Sequence, residues 1–388
     1  MSRPAGGAHG GVPDRLPVVV VGAGAMGKEW LRMLAISPDA VTVGVVDLDL
    51  DLAHAAVDSL GLGGIVIGRS VTEVAERSGA AAVVDVTVPQ AHGTVNEQAL
   101  RAGLPVLCEK PLAPTVAEAL RQVALADLTG QLLVVSQSRR YVPSLAAFQE
   151  AVAGLGALAT VRADFFHEDH EPGFREQMAH PLLVDMSIHH FDQLRLLTAD
   201  EPVAVRCTSW NPPWSWYAGH AAATAEFELT SGARFAYAGS RCTPGLQTSF
   251  NAEWRVHGEA GAASWDGEGV VRLDPARPSP ESVPGAEGIA GSLADFVAAL
   301  RTGVAPRTEV RRNVLSLAMV EGAVRSSDLG GERVVLADLL EGSLASAVAH
   351  ETSPDVADVL RSWTSAADGL AQPAWGTSPA TTASGGAR

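Results

Sequence analysis

Lysine is nearly missing from this sequence of 388 residues: only Lys28 and Lys110 occur, and every other cationic side chain is arginine. Cations of any kind are outnumbered, with 28 Lys plus Arg facing 44 Asp plus Glu for a formal charge of −16. A surface of that sign repels phosphate and no basic run offsets it, which excludes nucleic acid and anionic membrane as main partners. No stretch of 18 uncharged apolar residues is present either, so no transmembrane helix is expected. Cysteine is limited to Cys108, Cys207 and Cys242. An odd number at wide spacing excludes a disulfide framework and fits a reducing cytoplasm. The Gly- and Ala-rich residues 1–15 lack the apolar stretch of a signal peptide and read as a disordered leader.

What is present divides into two patterns, and the length suits two domains. From Pro17 to Val135, β-branched runs (Val18 to Val21, Val41 to Val46, Gly64 to Ile67, Ala82 to Val86, Val106 to Cys108, Leu132 to Val135) alternate with helical segments. Near-continuous apolar strands are buried on both faces, which predicts an α/β fold with a doubly wound parallel sheet over residues 16–138. After Tyr141, period-two alternation in Thr224 to Leu229, Arg234 to Ala238 and Trp254 to His257 predicts an α+β unit, residues 139–290. Its sheet should be large, open and mostly antiparallel, with helices on one face. One clear helix, Leu182 to Leu197, interrupts those strands, and helices within 291–340 are expected to return and brace the first domain. Residues 341–388 read as a Ser-, Ala- and Gly-rich extension, disordered from Ser378 to Arg388.

Directly after the first strand, Gly22, Gly24 and Gly27 form G-A-G-A-M-G with Ala25 and Met26 at the start of a helix. Such a turn admits a pyrophosphate against unpaired helix N–H groups. Asp47, twenty residues beyond Gly27, ends the second strand where a carboxylate accepts from both adenosine ribose hydroxyls. The cofactor expected is NAD. NADP is disfavoured because Asp47 repels a 2′-phosphate and no cation lies between Leu48 and Gly68, although Arg69 could fold back.

Lys110, in Cys108-Glu109-Lys110-Pro111 after the fifth strand, stands at the carboxyl edge where α/β proteins place ligands. Asp185, His189 and Asp192 are spaced four and three apart on the Leu182 to Leu197 helix, so they share one face, expected to meet a cleft. With T-V-P-Q-A-H at 87–92 and R-R-Y at 139–141, these motifs resemble the Gfo/Idh/MocA family of nicotinamide-dependent oxidoreductases. The similarity runs from about Pro17 to Leu336. It implies a Rossmann domain, a substrate domain built on an open sheet, and a homodimer or homotetramer formed through that sheet. It further implies Lys110, Asp185 and His189 as catalytic residues. Cofactor contacts are then expected from the glycine turn, Asp47, Thr87, Pro89, His92, Glu109 and Lys110, and substrate contacts from Arg140, Tyr141, His167, Arg175, Asp192 and Trp214. The residue types suit alcohol oxidation: His189 accepts the hydroxyl proton, Lys110 stabilises the alkoxide, and Asp185 can hold the imidazole in one tautomer. Ala179-His180-Pro181 and Ser187 replace glycines of many relatives, which points to a reshaped pocket wall.

His167, Glu168, Asp169 and His170, with His180 nearby, admit a metal site or a polar loop facing the substrate. The loop is preferred, because H-x-x-H outside a helix does not aim both rings at one ion. Trp210 to Tyr217 gathers three of the eight tryptophans, suited to a sugar-binding wall or equally to a subunit contact. The expected activity is NAD-dependent oxidation of a sugar, polyol or inositol. The alternatives are a reductase of an imine, dihydrodiol or biliverdin-type substrate, or a non-catalytic nicotinamide-binding regulator.

Overall fold

The computed structural model of the protein describes residues 14–168, 170, 173–276, 278, 280–281, 284–372 and 375–376. The expected leader, apart from Asp14 and Arg15, and the expected tail lie outside these residues, as does Asp169.

Six strands form the first sheet: β1 (Leu16–Val21), β2 (Ala40–Val46), β3 (Val66–Gly68), β4 (Ala82–Asp85), β5 (Val106–Glu109) and β6 (Leu133–Ser136). All pair in parallel, in the order β3-β2-β1-β4-β5-β6. Val18, Val19, Val20, Val83, Val84, Val106 and Leu107 are wholly buried, because helices cover both faces. Chain order reverses between β1 and β4, so the loops after their carboxyl ends part and open a crevice.

Eight strands form the second sheet: β7 (Leu158–Phe166), β8 (Pro202–Trp210), β9 (Ala222–Leu229), β10 (Arg234–Ser240), β11 (Glu253–Gly258), β12 (Gly261–Trp265), β13 (Val271–Asp274) and β14 (Val334–Val335). Their order is β13-β12-β11-β7-β10-β9-β8-β14, with β7 and β10 parallel and the other pairs antiparallel. Period-two sequence becomes two unlike faces: Phe227, Phe235, Tyr237 and Trp254 point inward, while Glu226 and Arg234 point out. The helix Ile188–Thr198 lies on the inner face through Phe191, whose ring is 4.9 Å from Phe227 and 5.3 Å from Tyr237. Burying one such ring contributes roughly 3 kcal/mol. That contact fixes the helix carrying His189.

The late helices do brace the first sheet. Leu293, Phe296 and Val297 of Gly288–Thr302 join its core, and Val310–Asp328 runs from it to β8. Leu336–His350, Pro354–Ser362 and Ala366–Ala371 are helices. Leu339, Leu344, Val356 and Leu360 bury a stripe against Val116–Thr129, and Arg121 Nε meets Glu351 at 2.6 Å. Alanine and serine fill the remaining positions, and alanine is the best helix former.

Candidate active site

The glycine turn uses each glycine differently. Gly22 sits at φ +100°, where an added Cβ would lie 2.8 Å from the Val86 carbonyl oxygen. At Gly27 a Cβ would lie 2.0 Å from the Gly22 carbonyl oxygen, so this residue lets the helix Ala25–Ile36 pack against the turn. Around Gly24 nothing lies within 4 Å. Together with the exposed Ala25 and Met26 at the helix N-terminus, it leaves the open cradle that a pyrophosphate fits. Asp47 is fixed at the rim: Ala23 N–H donates to Oδ2 at 2.7 Å and Asp49 N–H to Oδ1 at 2.9 Å. Arg69 does fold back, its Nε donating to the Leu48 carbonyl at 3.0 Å, next to Asp47 in the chain.

Thr87 turns toward the sheet, giving its N–H and hydroxyl to Asp85 Oδ1 at 3.0 and 2.7 Å. Pro89 opens the helix Pro89–Arg101. His92, expected at the cofactor, is instead wholly buried, with its ring nitrogens 2.9 Å from the Pro111 carbonyl and 3.1 Å from that of Thr87. It staples the loops after β4 and β5 to each other. Asp85, His92 and Cys108 come close enough to suggest a metal, but those carbonyls occupy both nitrogens of His92.

At the end of β5, Glu109 accepts from Trp30 Nε1 at 2.9 Å and from the Lys110 N–H at 3.1 Å. Burial raises its pKa, partly offset by those donors. Lys110 reaches across to the second domain, its Nζ donating to the Asp185 carbonyl at 2.9 Å and to Oδ1 at 3.1 Å. The other carboxylate oxygen, Oδ2, accepts from Arg241 Nη1 at 2.5 Å and Arg175 Nε at 2.9 Å. Burial alone would raise the pKa of Asp185, but the charges of Lys110, Arg175 and Arg241 prevail and hold it well below the usual carboxylate range.

This arrangement corrects the role expected of Asp185. Both its oxygens serve three cations, and His189 Nδ1 is buried without a hydrogen-bond partner among the described residues. Asp185 therefore positions Lys110 rather than the imidazole. His189 is only 5% exposed, and burial, reinforced by Lys110 and Arg139, drives its pKa well below the ordinary histidine value. It is neutral at physiological pH.

The helical face drawn from the sequence also breaks. Leu182–Ser187 is a π-helical turn, and only from Ile188 does the chain become α-helical. Rewinding separates Asp185 from Asp192, which is 1% exposed and bound by Arg140 Nε and Nη2 at 2.5 and 2.8 Å and by the Ser316 hydroxyl at 2.8 Å. Arg140 and Asp192 thus form a buried brace in which both carboxylate oxygens already accept hydrogen bonds. Tyr141 is likewise engaged, its hydroxyl donating to Asp295 Oδ2 at 2.7 Å. The other arginine of R-R-Y, Arg139, lies over the Phe250 ring at 5.2 Å.

His167 stacks on Phe250 at 4.1 Å while His170 stacks on Trp216 at 4.5 Å, so different aromatic rings hold the two histidines. Trp214 is 62% exposed, with Nε1 donating to the Cys242 carbonyl. His190 is buried against the Tyr237 hydroxyl and the Phe250 carbonyl, a structural place. Arg241 and Arg139 were missed as site residues. No local spacing marks Arg241, which reaches Asp185 from beyond β10, and Arg139 was read only as part of R-R-Y.

Residues 16–137 match the oxidoreductase family with an NAD-binding Rossmann fold, and residues 149–264 match the GFO/IDH/MocA C-terminal domain. The uncharacterized protein y4oX of Sinorhizobium fredii is 26% identical over 337 residues, 81% of this chain and 94% of that one. An inositol 2-dehydrogenase of Renibacterium salmoninarum is 34% identical over 194 residues, 49% of this chain and 56% of that enzyme. The chain thus spans little more than half the length of that relative. In fold it resembles a crystal structure of an oxidoreductase from Agrobacterium radiobacter in complex with NAD+, L-tartaric acid and magnesium. The TM-score is 0.77 at 18% identity, covering 84% of this chain and 100% of that one. With both halves matched in order, this chain belongs to the Gfo/Idh/MocA oxidoreductase family.

Proposed function

We propose that this protein is an NAD-dependent dehydrogenase that oxidises a secondary alcohol of a sugar, polyol, inositol or related carbohydrate. One observation carries the reading: Lys110 Nζ, 3.1 Å from Asp185 Oδ1, stands beside a neutral, buried His189 at the carboxyl edge of the parallel sheet. The similarity to inositol 2-dehydrogenase over half the chain supports the carbohydrate class.

The glycine turn, Asp47 and Glu109 would hold NAD, which when bound would supply the hydride acceptor. The chain's own residues handle the proton and the charge. His189, kept neutral by burial, accepts the hydroxyl proton as the alcohol carbon is oxidised. The Lys110 ammonium faces the same oxygen and stabilises its developing negative charge, and Asp185 holds that ammonium in place. In this division of labour residues 16–138 bind the cofactor, 139–290 the substrate, and 291–340 brace the two.

The outer face of the second sheet, with a concavity of about 430 Å³ bordered by Arg162, Thr208, Thr224 and Glu226, is proposed as the surface for a homodimer or homotetramer. Sedimentation as a monomer at micromolar concentration would contradict it. No helix among the described residues is long and apolar enough to cross a membrane, and Cys108, Cys207 and Cys242 are free and buried. These support a cytoplasmic place. The activity is tested by assaying aldoses, polyols, inositols and sugar acids for NADH formation. No response to any of them, with NADH consumed by an imine or ketone, would overturn the reading.

A further inference from the structure

We propose that the carbohydrate oxidised here is an acid, whose carboxylate is held by Arg139 and Arg175. This rests on the dehydrogenase reading above and narrows its substrate. In a chain of net charge −16, four cations, Lys110, Arg139, Arg175 and Arg241, gather at one centre. Three of them share the single carboxylate of Asp185.

Arg139 is different. It is only partly exposed, donates from Nη1 to the amide oxygen of Asn251 at 3.1 Å and lies over the Phe250 ring. Among the described residues no carboxylate lies within ion-pair distance of it, and its Nε and Nη2 make no hydrogen bond. The acids that bear on it are committed elsewhere: Asp185 to Lys110, Arg175 and Arg241, and Glu268 to the Ser249 hydroxyl at 2.5 Å. A partly buried guanidinium with only a neutral partner is unfavourable until an anion reaches it. Arg139 shares the Phe250 ring with His167, whose own ring is 4.1 Å from it, and the Phe250 carbonyl meets His190, the neighbour of His189, so the guanidinium charge bears on both Asp185 and His189.

Arg175 supplies the second half of the site. Its Nε is used by Asp185, its plane stacks on Phe174 at 4.9 Å, and its two Nη groups make no hydrogen bond among the described residues. A planar edge with two donors suits a carboxylate. A neutral polyol would bring hydroxyls but no compensating charge.

The test uses the full-length protein with NAD and matched sets of one carbon skeleton: the neutral sugar or polyol, its aldonic or uronic acid, and its phosphate ester. The acid is expected to exceed its neutral partner in kcat/KM by about a hundredfold or more, a charge-assisted pair contributing on that order. Arg139→Gln should cut the acid-to-neutral ratio at least tenfold by raising KM for the acid, with the NAD Kd within about twofold; Arg139→Lys should restore part of the ratio. Should Arg139→Gln fail to fold, Arg175→Gln serves with the same expectation. Equal use of acid and neutral partner, preference for the phosphate ester, or a variant that leaves the ratio unchanged would overturn the proposal while leaving the dehydrogenase reading standing. Absence of NADH formation with every compound, charged or not, would remove that reading and the proposal together.

Discussion

The glycine turn after β1 and the charge cluster around Asp185 meet opposite physical problems. The turn recognises its ligand with backbone: an open space beside Gly24, a helix N-terminus, and one carboxylate at 47 that is fixed by main-chain N–H groups. Nothing in it needs a buried charge. The cluster is made of side chains drawn from β5, the π-turn, the 3₁₀ helix Phe174–Gln177 and the residue after β10. Its charges are buried and depend on one another, so removing one strands the rest. The first site is set by local geometry, and the second by which distant charges meet.

Substitutions can break that contrast, the largest effect falling in the cluster. Lys110→Ala removes the cation beside the reacting oxygen and should lower kcat by about a thousandfold, while calorimetric NAD affinity stays within about twofold. A variant retaining most of its turnover would remove Lys110 from the chemistry. Asp185→Asn leaves Lys110, Arg175 and Arg241 facing a neutral amide. Chemical denaturation should then report a loss of roughly 3 kcal/mol, larger than for any exposed carboxylate tested alongside.

In the turn, two glycines should separate fold from ligand. Gly27→Ala places a methyl against the Gly22 carbonyl and should destabilise by about 1–3 kcal/mol, whereas Gly24→Ala should leave the melting temperature unchanged and weaken NAD binding roughly tenfold. Equal melting shifts for the two would erase the distinction.

The pH response is smaller and belongs to the cluster. Because His189 acts as its neutral form and its pKa lies well below 6.5, kcat/KM should show no loss near pH 6.5 and fall only at clearly lower pH. His190, pushed down to about 3 by burial, adds to the same trend in stability. Both have folded-state pKa values below the unfolded one, so the unfolded chain binds more protons between about pH 6.5 and 3. Stability is full above about 6.5 and declines as pH falls through that window, by up to a few kcal/mol. A flat urea midpoint from pH 7 to 4 would contradict it.

The same contrast explains what could be read from the sequence. β1, β2, β4, β5 and β6 lie within two residues of the apolar runs, and G-A-G-A-M-G with Asp47 falls where its spacing put it, because short-range pattern governs both. Asp185, Lys110 and His189 were named from motifs, and Lys110 Nζ does reach Asp185 at 3.1 Å. Their partners were not legible. Arg241 lies 56 residues from Asp185 and Arg139 lies 112 from Asn251, separations that only the fold closes. The π-turn defeated the helical-face argument, since four-residue spacing assumes an α-helix and Leu182–Ser187 is wound differently. For His92 the motif position is local, but its burial between Thr87 and Pro111 depends on the loop after β5.

The most direct measurement is NADH formation by wild type and by His189→Ala across neutral and acidic sugars, each with the deuterated alcohol carbon. The account predicts turnover by wild type with a primary isotope effect, and a loss of about a hundredfold or more in the variant at unchanged NAD affinity. Wild-type turnover undiminished in His189→Ala would contradict it.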